Sequence, residues 1–249
     1  MPRYFMRLAY RGAPFHGWQT QPGAVTVQQT IEEALSTVLR RPMAIVGAGR
    51  TDAGVNARLM VAHFDLQEPL PMPAERLVGA LNALTGRDIA IYAIEPVAPD
   101  LHARFSATSR TYHYYALPAN SPFMYPLVWK APATLDYEAM NRAASILLDT
   151  TDFTSFAKLH SDARTNICHV SRAEWVEWTS PDGIEGHVFI ITADRFLRNM
   201  VRAVVGTLVE VGRGKLSIEG FKRVIESCDR CAAGTSMPPE ALYLWDVTY

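Results

Sequence analysis

The densest grouping of chemically capable residues is Gly47-Ala48-Gly49-Arg50-Thr51-Asp52-Ala53-Gly54. Glycines on both sides let the backbone turn sharply and a bulky ligand come close to the charged pair. An arginine two residues from a carboxylate favours its charged form. An ionised, unhindered carboxylate is a nucleophile or a base, and Thr51 adds a hydroxyl. The same residues also read as an exposed turn carrying a solvated ion pair. No Gly-Lys-Ser/Thr follows, so the segment is not a Walker-type phosphate cradle.

Two further groups invite a chemical reading. Tyr112 lies in the aromatic, alternating run Arg110 to Leu117, which reads as a strand. A phenol there offers a flat face for stacking and a polar tip for proton transfer, or is an ordinary strand aromatic. Phe196 to Val211 reads as a long helix. At ~100° per residue, Arg195, Arg198, Arg202 and Arg213 fall within a sector of about 60°, with Leu197, Val201, Val204, Leu208 and Val211 opposite. Gly206 shares the arginine side and permits close approach, although such a sector is also the solvated face of an amphipathic helix. Cys228-Asp229-Arg230-Cys231 is a lone Cys-x-x-Cys with only Cys168-His169 left to supply ligands, so helix-end packing is expected there and metal is not. His16, His63, His113 and His187 are scattered. Trp175 and Trp178 fit a core or an interface better than a stacking platform.

The elements that must position these groups follow from periodicity. Tyr4 to Tyr10 reads as a strand. A Thr26-x-x-Gln29 capping box opens a helix whose apolar positions Val27, Ile31, Ala34, Leu35, Val38 and Leu39 share one face. Met43 to Val46 and Leu59 to Leu66 read as strands on either side of the Gly-rich turn. Pro73 to Leu84 reads as a helix and Ile89 to Ile94 as a strand. Further on, Leu135 to Leu148 is helical, Val170 to Trp178 and His187 to Thr192 are strands, and Ser217 caps a helix to about Ser227. Leu242 to Val247 closes the chain as a strand. Helices packed on one side of mostly antiparallel strands make an α+β protein. The Pro-rich stretch Pro118–Pro132 is a candidate boundary.

Composition bounds the partners. The 249 residues carry 24 Lys+Arg against 25 Asp+Glu, a net charge of −1, with 49% hydrophobic residues. That is ordinary globular composition, and no apolar run approaches the ~18–20 residues of a membrane span. The N-terminus lacks the apolar stretch of a signal peptide. Three cysteines suit a reducing cytoplasm better than a disulfide scaffold. Near-zero charge argues against gripping nucleic acid with the whole surface but leaves room for a local basic cleft. Arginines recur at Arg50, Arg104, Arg110, Arg164 and Arg202, whereas acids gather at Glu174, Glu177, Asp182 and Glu185.

Gly49-Arg50-Thr51-Asp52-Ala53-Gly54-Val55 resembles the active-site signature of the tRNA pseudouridine synthase A family. Other blocks agree in order: Tyr10-x-Gly12, Phe15-x-Gly17-Trp18-Gln19-x-Gln21, His102-Ala103-Arg104-Phe105-Ser106-Ala107, and Arg110-Thr111-Tyr112-His113-Tyr114. Asp152-Phe153-Thr154-Ser155-Phe156, Met200-Val201-Arg202 with Gly206, and Leu242-Tyr243-Leu244 complete the set, so the resemblance spans essentially the whole chain.

The resemblance implies an isomerase that converts uridine to pseudouridine at positions 38, 39 and 40 of the tRNA anticodon stem-loop. The N1–C1′ bond breaks, the base turns and it rejoins through C5, so neither redox cofactor nor metal is demanded. Asp52 would be the essential carboxylate, Tyr112 the tyrosine packed against the target base, and Arg202 the ion-pair partner of Asp52. The uridine must leave its stack; Arg50 would support the flipped conformation, since a guanidinium stacks on bases and binds phosphate. His102, Arg104, Phe105, His160 and Arg164 fall in RNA-contacting regions, and Arg58, Arg110 and Arg172 are either phosphate contacts or solvated charge. The implied fold is two α+β halves, residues 1–108 with Asp52 and 109–249 with Tyr112 and the Arg-bearing helix. Their mainly antiparallel sheets would form a platform beneath a central RNA cleft, in a cytoplasmic homodimer. Two residues depart from the family pattern: Asn56 replaces a histidine and Arg11 an aspartate. Asn keeps a hydrogen bond but carries no proton at neutral pH. A catalytically silent tRNA-binding or folding factor is the alternative, though binding alone does not need Asp52, Tyr112 and Arg202 together. A glycosidase would want a paired carboxylate.

Overall fold

Tyr4, Phe5, Met6, Leu8 and Tyr10 are all buried, so the first strand is covered on both faces. The computed structural model describes residues 1–159 and 165–249. The chain divides into two compact units, Met1–Thr108 with Leu244–Tyr249, and Ser109–Tyr243. The first contains β1 (Arg3–Tyr10), α1 (Val27–Leu39), β2 (Val46–Gly47), β3 (Asn56–Asp65), α2 (Ala74–Leu84) and β4 (Ile89–Val97). The second contains β5 (Ser109–Leu117), β6 (Trp129–Lys130), α3 (Tyr137–Ser145), β7 (Val170–Thr179), β8 (Glu185–Ala193), α4 (Met200–Gly212) and α5 (Ile218–Glu226). The last strand, β9 (Leu242–Thr248), belongs to the first unit from Leu244 onward. No helix among the described residues is long and apolar enough to cross a membrane.

In the first unit the strand order is β4-β1-β3-β9. Strand β1 is antiparallel to both neighbours, with Arg3 opposite Asp65 and Tyr10 opposite Ala57 on β3. The cross-strand pair Tyr4 and Phe64 stacks at 5.5 Å, the kind of contact that fixes register. Helix α1 buries Val27, Ile31, Ala34 and Leu35, and Thr26 Oγ1 accepts from Gln29 N at 3.3 Å. The Gln29 side chain, the other arm of the expected capping box, donates its amide N–H to Glu33 one turn on. The strand expected over Met43 to Val46 shrinks to Val46–Gly47. Side chains of α1 occupy the backbone that a ladder would use: Glu32 accepts from Ile45 N, Ser36 from Met43 N, and Gln28 donates to Ile45 O.

In the second unit β5, β8 and β7 pair antiparallel in that order, and the short β6 runs parallel to β5. The amide of Asn141 on α3 brackets the backbone of Trp175, donating to its carbonyl at 2.9 Å and accepting from its N–H at 2.7 Å. Trp175 is buried, as the alternation of its strand requires. The Pro-rich segment 118–132 lies inside this unit. Each unit thus mixes helices with mainly antiparallel strands, the α+β class expected.

Helix α4 departs from expectation. It begins at Met200, not Phe196, because Asn199 takes a left-handed conformation (φ 65°). Residues 194–199 are a connector tied down from outside: Asp194 accepts from His169 N and donates its own N–H to His169 O, and Arg198 O accepts from Lys158 N. Arg195 and Arg198 therefore lie off the helix and Arg213 caps its end, leaving Arg202 as the arginine within it. Gly206 permits the close approach expected of it. A Cβ there would sit 1.9 Å from Thr235 O, so a following segment covers that face.

Candidate active site

The turn bearing Asp52 is held by backbone meeting backbone. Strand β2 pairs Gly47 with Ala62 of β3, Ala48 N donates to Val61 O at 2.7 Å, and the chain then leaves the sheet until Asn56. Trp18 N donates to Thr51 O at 3.1 Å, Val55 N to Asp52 O at 3.1 Å, and the buried hydroxyls of Tyr10 and Thr51 meet at 2.7 Å. Gly54 supplies the positive φ of 80° that closes the turn. Two glycines of the N-terminal block make this packing possible. A Cβ on Gly17 (φ 89°) would lie 2.6 Å from Thr51 O, and one on Gly12 would lie 2.3 Å from Val55 O. Asp52 itself is half-buried and Arg50 exposed.

The two departures from the family pattern have visible consequences. Asn56 is buried, and its Oδ1 accepts from Gly12 N at 2.8 Å, so the residue clamps Gly12 onto the turn. Arg11 pairs with Asp88 at 2.8 Å on the surface.

A concavity of about 170 Å³ opens beside the turn, lined among others by Trp18, Gln28, Ile45, Gly49, Arg50 and Arg104. Two guanidinium groups bordering one hollow suit a phosphate, which they can engage in forked hydrogen bonds. Arg104 comes from the loop 101–106, where Phe105 stands 78% exposed with the Arg104 guanidinium 5.7 Å from its ring. His102 organises this loop. Its Nδ1 accepts from Arg104 N at 3.0 Å and Phe105 N at 3.2 Å, while its ring packs 4.4 Å from that of Phe105.

Beneath His102 lies His63, a buried histidine on β3 that sequence reading passed over as one of several scattered ones. Its ring is 4.6 Å from that of His102, and its Nδ1 accepts from Ala103 N at 3.2 Å. Burial pushes its pKa down to about 4, helped by the nearby charge of Arg3. His102 is also lowered, mainly by burial and by Arg3. Both imidazoles are therefore neutral at pH 7, as acceptor nitrogens must be. Arg3 holds Asp65 at 2.7 Å and donates to Leu101 O, and Tyr249 donates to Ala103 O.

The second unit carries the other predicted residues. Tyr112 lies on β5 opposite Ile191, its ring meeting Phe196 edge-on at 5.0 Å. Arg202 lies in the first turn of α4, where its Nε donates to Met237 O at 2.5 Å. His160 and Arg164 lie outside the described residues. Of the arginines considered for phosphate contact, Arg110 donates to Asp194 O, Arg172 pairs with Glu174, and Arg58 covers the Trp245 ring at 4.8 Å. Cys228 and Cys231 are exposed and Cys168 is buried.

Relatives of this chain are extensive. The family model described as tRNA pseudouridine synthase matches residues 143–249. The tRNA pseudouridine synthase A of Parabacteroides distasonis is 57% identical over 251 residues, covering 100% of this chain and 96% of that protein. Those of Porphyromonas gingivalis (56% over 250 residues, 100% and 98% covered) and Bacteroides thetaiotaomicron (55% over 249 residues, 100% and 91% covered) are similar. A solved structure of the CRISPR endoribonuclease Cse3 bound to RNA aligns at a TM-score of 0.23 and 13% identity over 99% of this chain and 100% of that one, a likeness that carries no weight. Matched along its whole length at more than half identity, the chain belongs to the tRNA pseudouridine synthase A family.

Proposed function

We propose that Asp52 is the carboxylate with which this tRNA pseudouridine synthase isomerises uridine at positions 38, 39 and 40 of the anticodon stem-loop. The observation that carries the reading is the grip on the Asp52 turn. Gly12, Gly17, Trp18 and Tyr10 all spend close contacts on residues 51–55, and preorganisation of that kind is what a reacting carboxylate needs. Asp52 acts as nucleophile or base while the glycosidic bond breaks. Tyr112 packs on the turning base, and Arg202 is the charged partner of Asp52. Arg50 supports the flipped nucleotide, and His102, Arg104, Phe105, His160 and Arg164 hold the surrounding RNA. The exposed Phe105 face beside the Arg104 charge fits that task, since aromatic and cationic groups together bind bases and phosphates. The enzyme works in the cytoplasm as a homodimer, without cofactor.

The test is tritium release from tRNA carrying 5-³H-uridine, because C5 gives up its hydrogen when it takes the sugar. Transcripts in which positions 38, 39 and 40 keep one uridine each should all release tritium, and one with cytidine at all three should release none. Release from the cytidine transcript would remove the positional assignment. Tight binding with no release from any transcript would leave a silent tRNA-binding protein.

A further inference from the structure

Residues 233–237 cross the first two turns of α4 as a strap, and the strap is what Arg202 leans on. Met237 O accepts from Arg202 Nε, and Met237 N donates back to Arg202 O at 3.1 Å. Gly234 N donates to Thr207 Oγ1 at 2.9 Å, and Gly206 and Gly234 meet so closely that a Cβ on Gly234 would lie 2.8 Å from the carbonyl carbon of Gly206. One side of the strap is thus fixed to the helix. Its other side is held by the side chains of Arg230 and Asn199. Arg230 spreads its guanidinium over Ala233 O (3.4 Å), Gly234 O (3.2 Å) and Ser236 Oγ (2.9 Å). Ser236 Oγ also accepts from Asn199 at 2.6 Å, which joins the strap to the left-handed residue where α4 begins. Arg230 itself sits on a single helical turn, Arg230–Ala232, capped by Asp229.

We infer that Arg230 is a positioning residue that sets the orientation of the Arg202 guanidinium through the strap. A planar guanidinium with Nε anchored on a carbonyl has its two Nη groups aimed by the position of that carbonyl. Moving Met237 therefore re-aims the Arg202 guanidinium. The inference rests on the reading of Arg202 as the partner of Asp52. It adds that the sequence between Cys228 and Cys231, outside every residue assigned a chemical role, tunes turnover without touching tRNA.

Three full-length variants test it, each assayed for turnover, KM for tRNA and thermal unfolding. Arg230→Ala should lower kcat about tenfold, the scale expected of a sub-ångström misplacement, with KM and Tm close to native. Arg230→Lys should recover part of that loss, since it restores a donor but not the fork. Ser236→Ala removes one acceptor of the fork and should lower kcat about threefold; it decides the matter if Arg230→Ala does not fold. Arg202→Ala is run alongside. If Arg202→Ala is inactive while Arg230→Ala and Ser236→Ala turn over like the native enzyme, the inference is wrong and the role of Arg202 stands. If Arg230→Ala loses kcat, KM and Tm together, Arg230 is merely structural and the inference is again overturned. Native turnover by Arg202→Ala would instead remove the reading on which it rests.

Discussion

The Asp52 turn and the loop 101–106 lie in one unit and are held in opposite ways. The turn is fixed by backbone atoms packed where a Cβ has no room, at Gly12 and Gly17, and by a buried pair of hydroxyls. No imidazole takes part in those contacts. The loop is fixed by ring nitrogens, His63 accepting from Ala103 N and His102 from Arg104 N and Phe105 N, and these bonds exist only while the rings are neutral. The difference separates two properties of the enzyme. The turn should govern turnover and tolerate acid, whereas the loop should govern tRNA affinity and fail in acid.

The largest break in this contrast should come from Gly17→Ala. The new Cβ meets a backbone oxygen at 2.6 Å in a conformation that side chains disfavour, so the turn must shift. Turnover should fall about 100-fold and stability by about 2–3 kcal/mol, with weaker effects on tRNA affinity. A Gly17→Ala enzyme that turns over normally would show that the turn is not held as described.

His102→Ala should do the reverse, weakening tRNA binding about tenfold, the value of one lost stacking contact, with kcat at saturating tRNA little changed. His102→Asn, whose amide oxygen can accept from the backbone N–H two residues on, should recover most of the affinity. Equal losses in both variants would mean that His102 serves only as an RNA contact and does not shape the loop.

Acid should sharpen the contrast further. His63 has a folded pKa of about 4 against its ordinary 6.5, so the unfolded chain takes up the proton first. Its contribution to stability is whole above pH 6.5 and is lost as pH falls toward 4. Between pH 7.5 and 5 the melting temperature should drop by about 4 °C on this account, a drop that His63→Gln removes. Affinity for tRNA should fall over the same range, although added positive charge alone would strengthen binding to a polyanion. The smallest effect is expected from Tyr10→Phe. It deletes one buried hydroxyl contact and should cost about 1 kcal/mol with turnover within a few-fold of native.

Much of this was legible in the sequence, for definite reasons. Glycines bracketing Asp52 announce a turn, and the Tyr4 to Tyr10 and Arg110 to Leu117 alternations announce strands. The reason for Gly12 and Gly17 was not legible, because the backbone atoms they accommodate lie some forty residues along the chain. Phe196 and Leu197 continue the helical apolar pattern, so the sequence extends α4 too far back, whereas the left-handed Asn199 that precedes it bonds to Ser236, distant in sequence. Gly206 does permit the close approach its place among the arginines suggests, but what approaches was not legible: a polar stretch such as Gly234-Thr235-Ser236 reads as loose loop until it is seen lying on a helix. His63 was hidden among apolar neighbours, and nothing in its local sequence marks the N–H of Ala103 as its partner.

Tritium release by Asp52→Asn in single turnover, with enzyme in excess and tRNA fully bound, bears most directly on the role of Asp52. The exchange keeps the shape of the side chain and removes its charge. Native tRNA affinity with no release above background is the result expected. Release at a rate within tenfold of native would contradict the assignment of the reaction to this carboxylate.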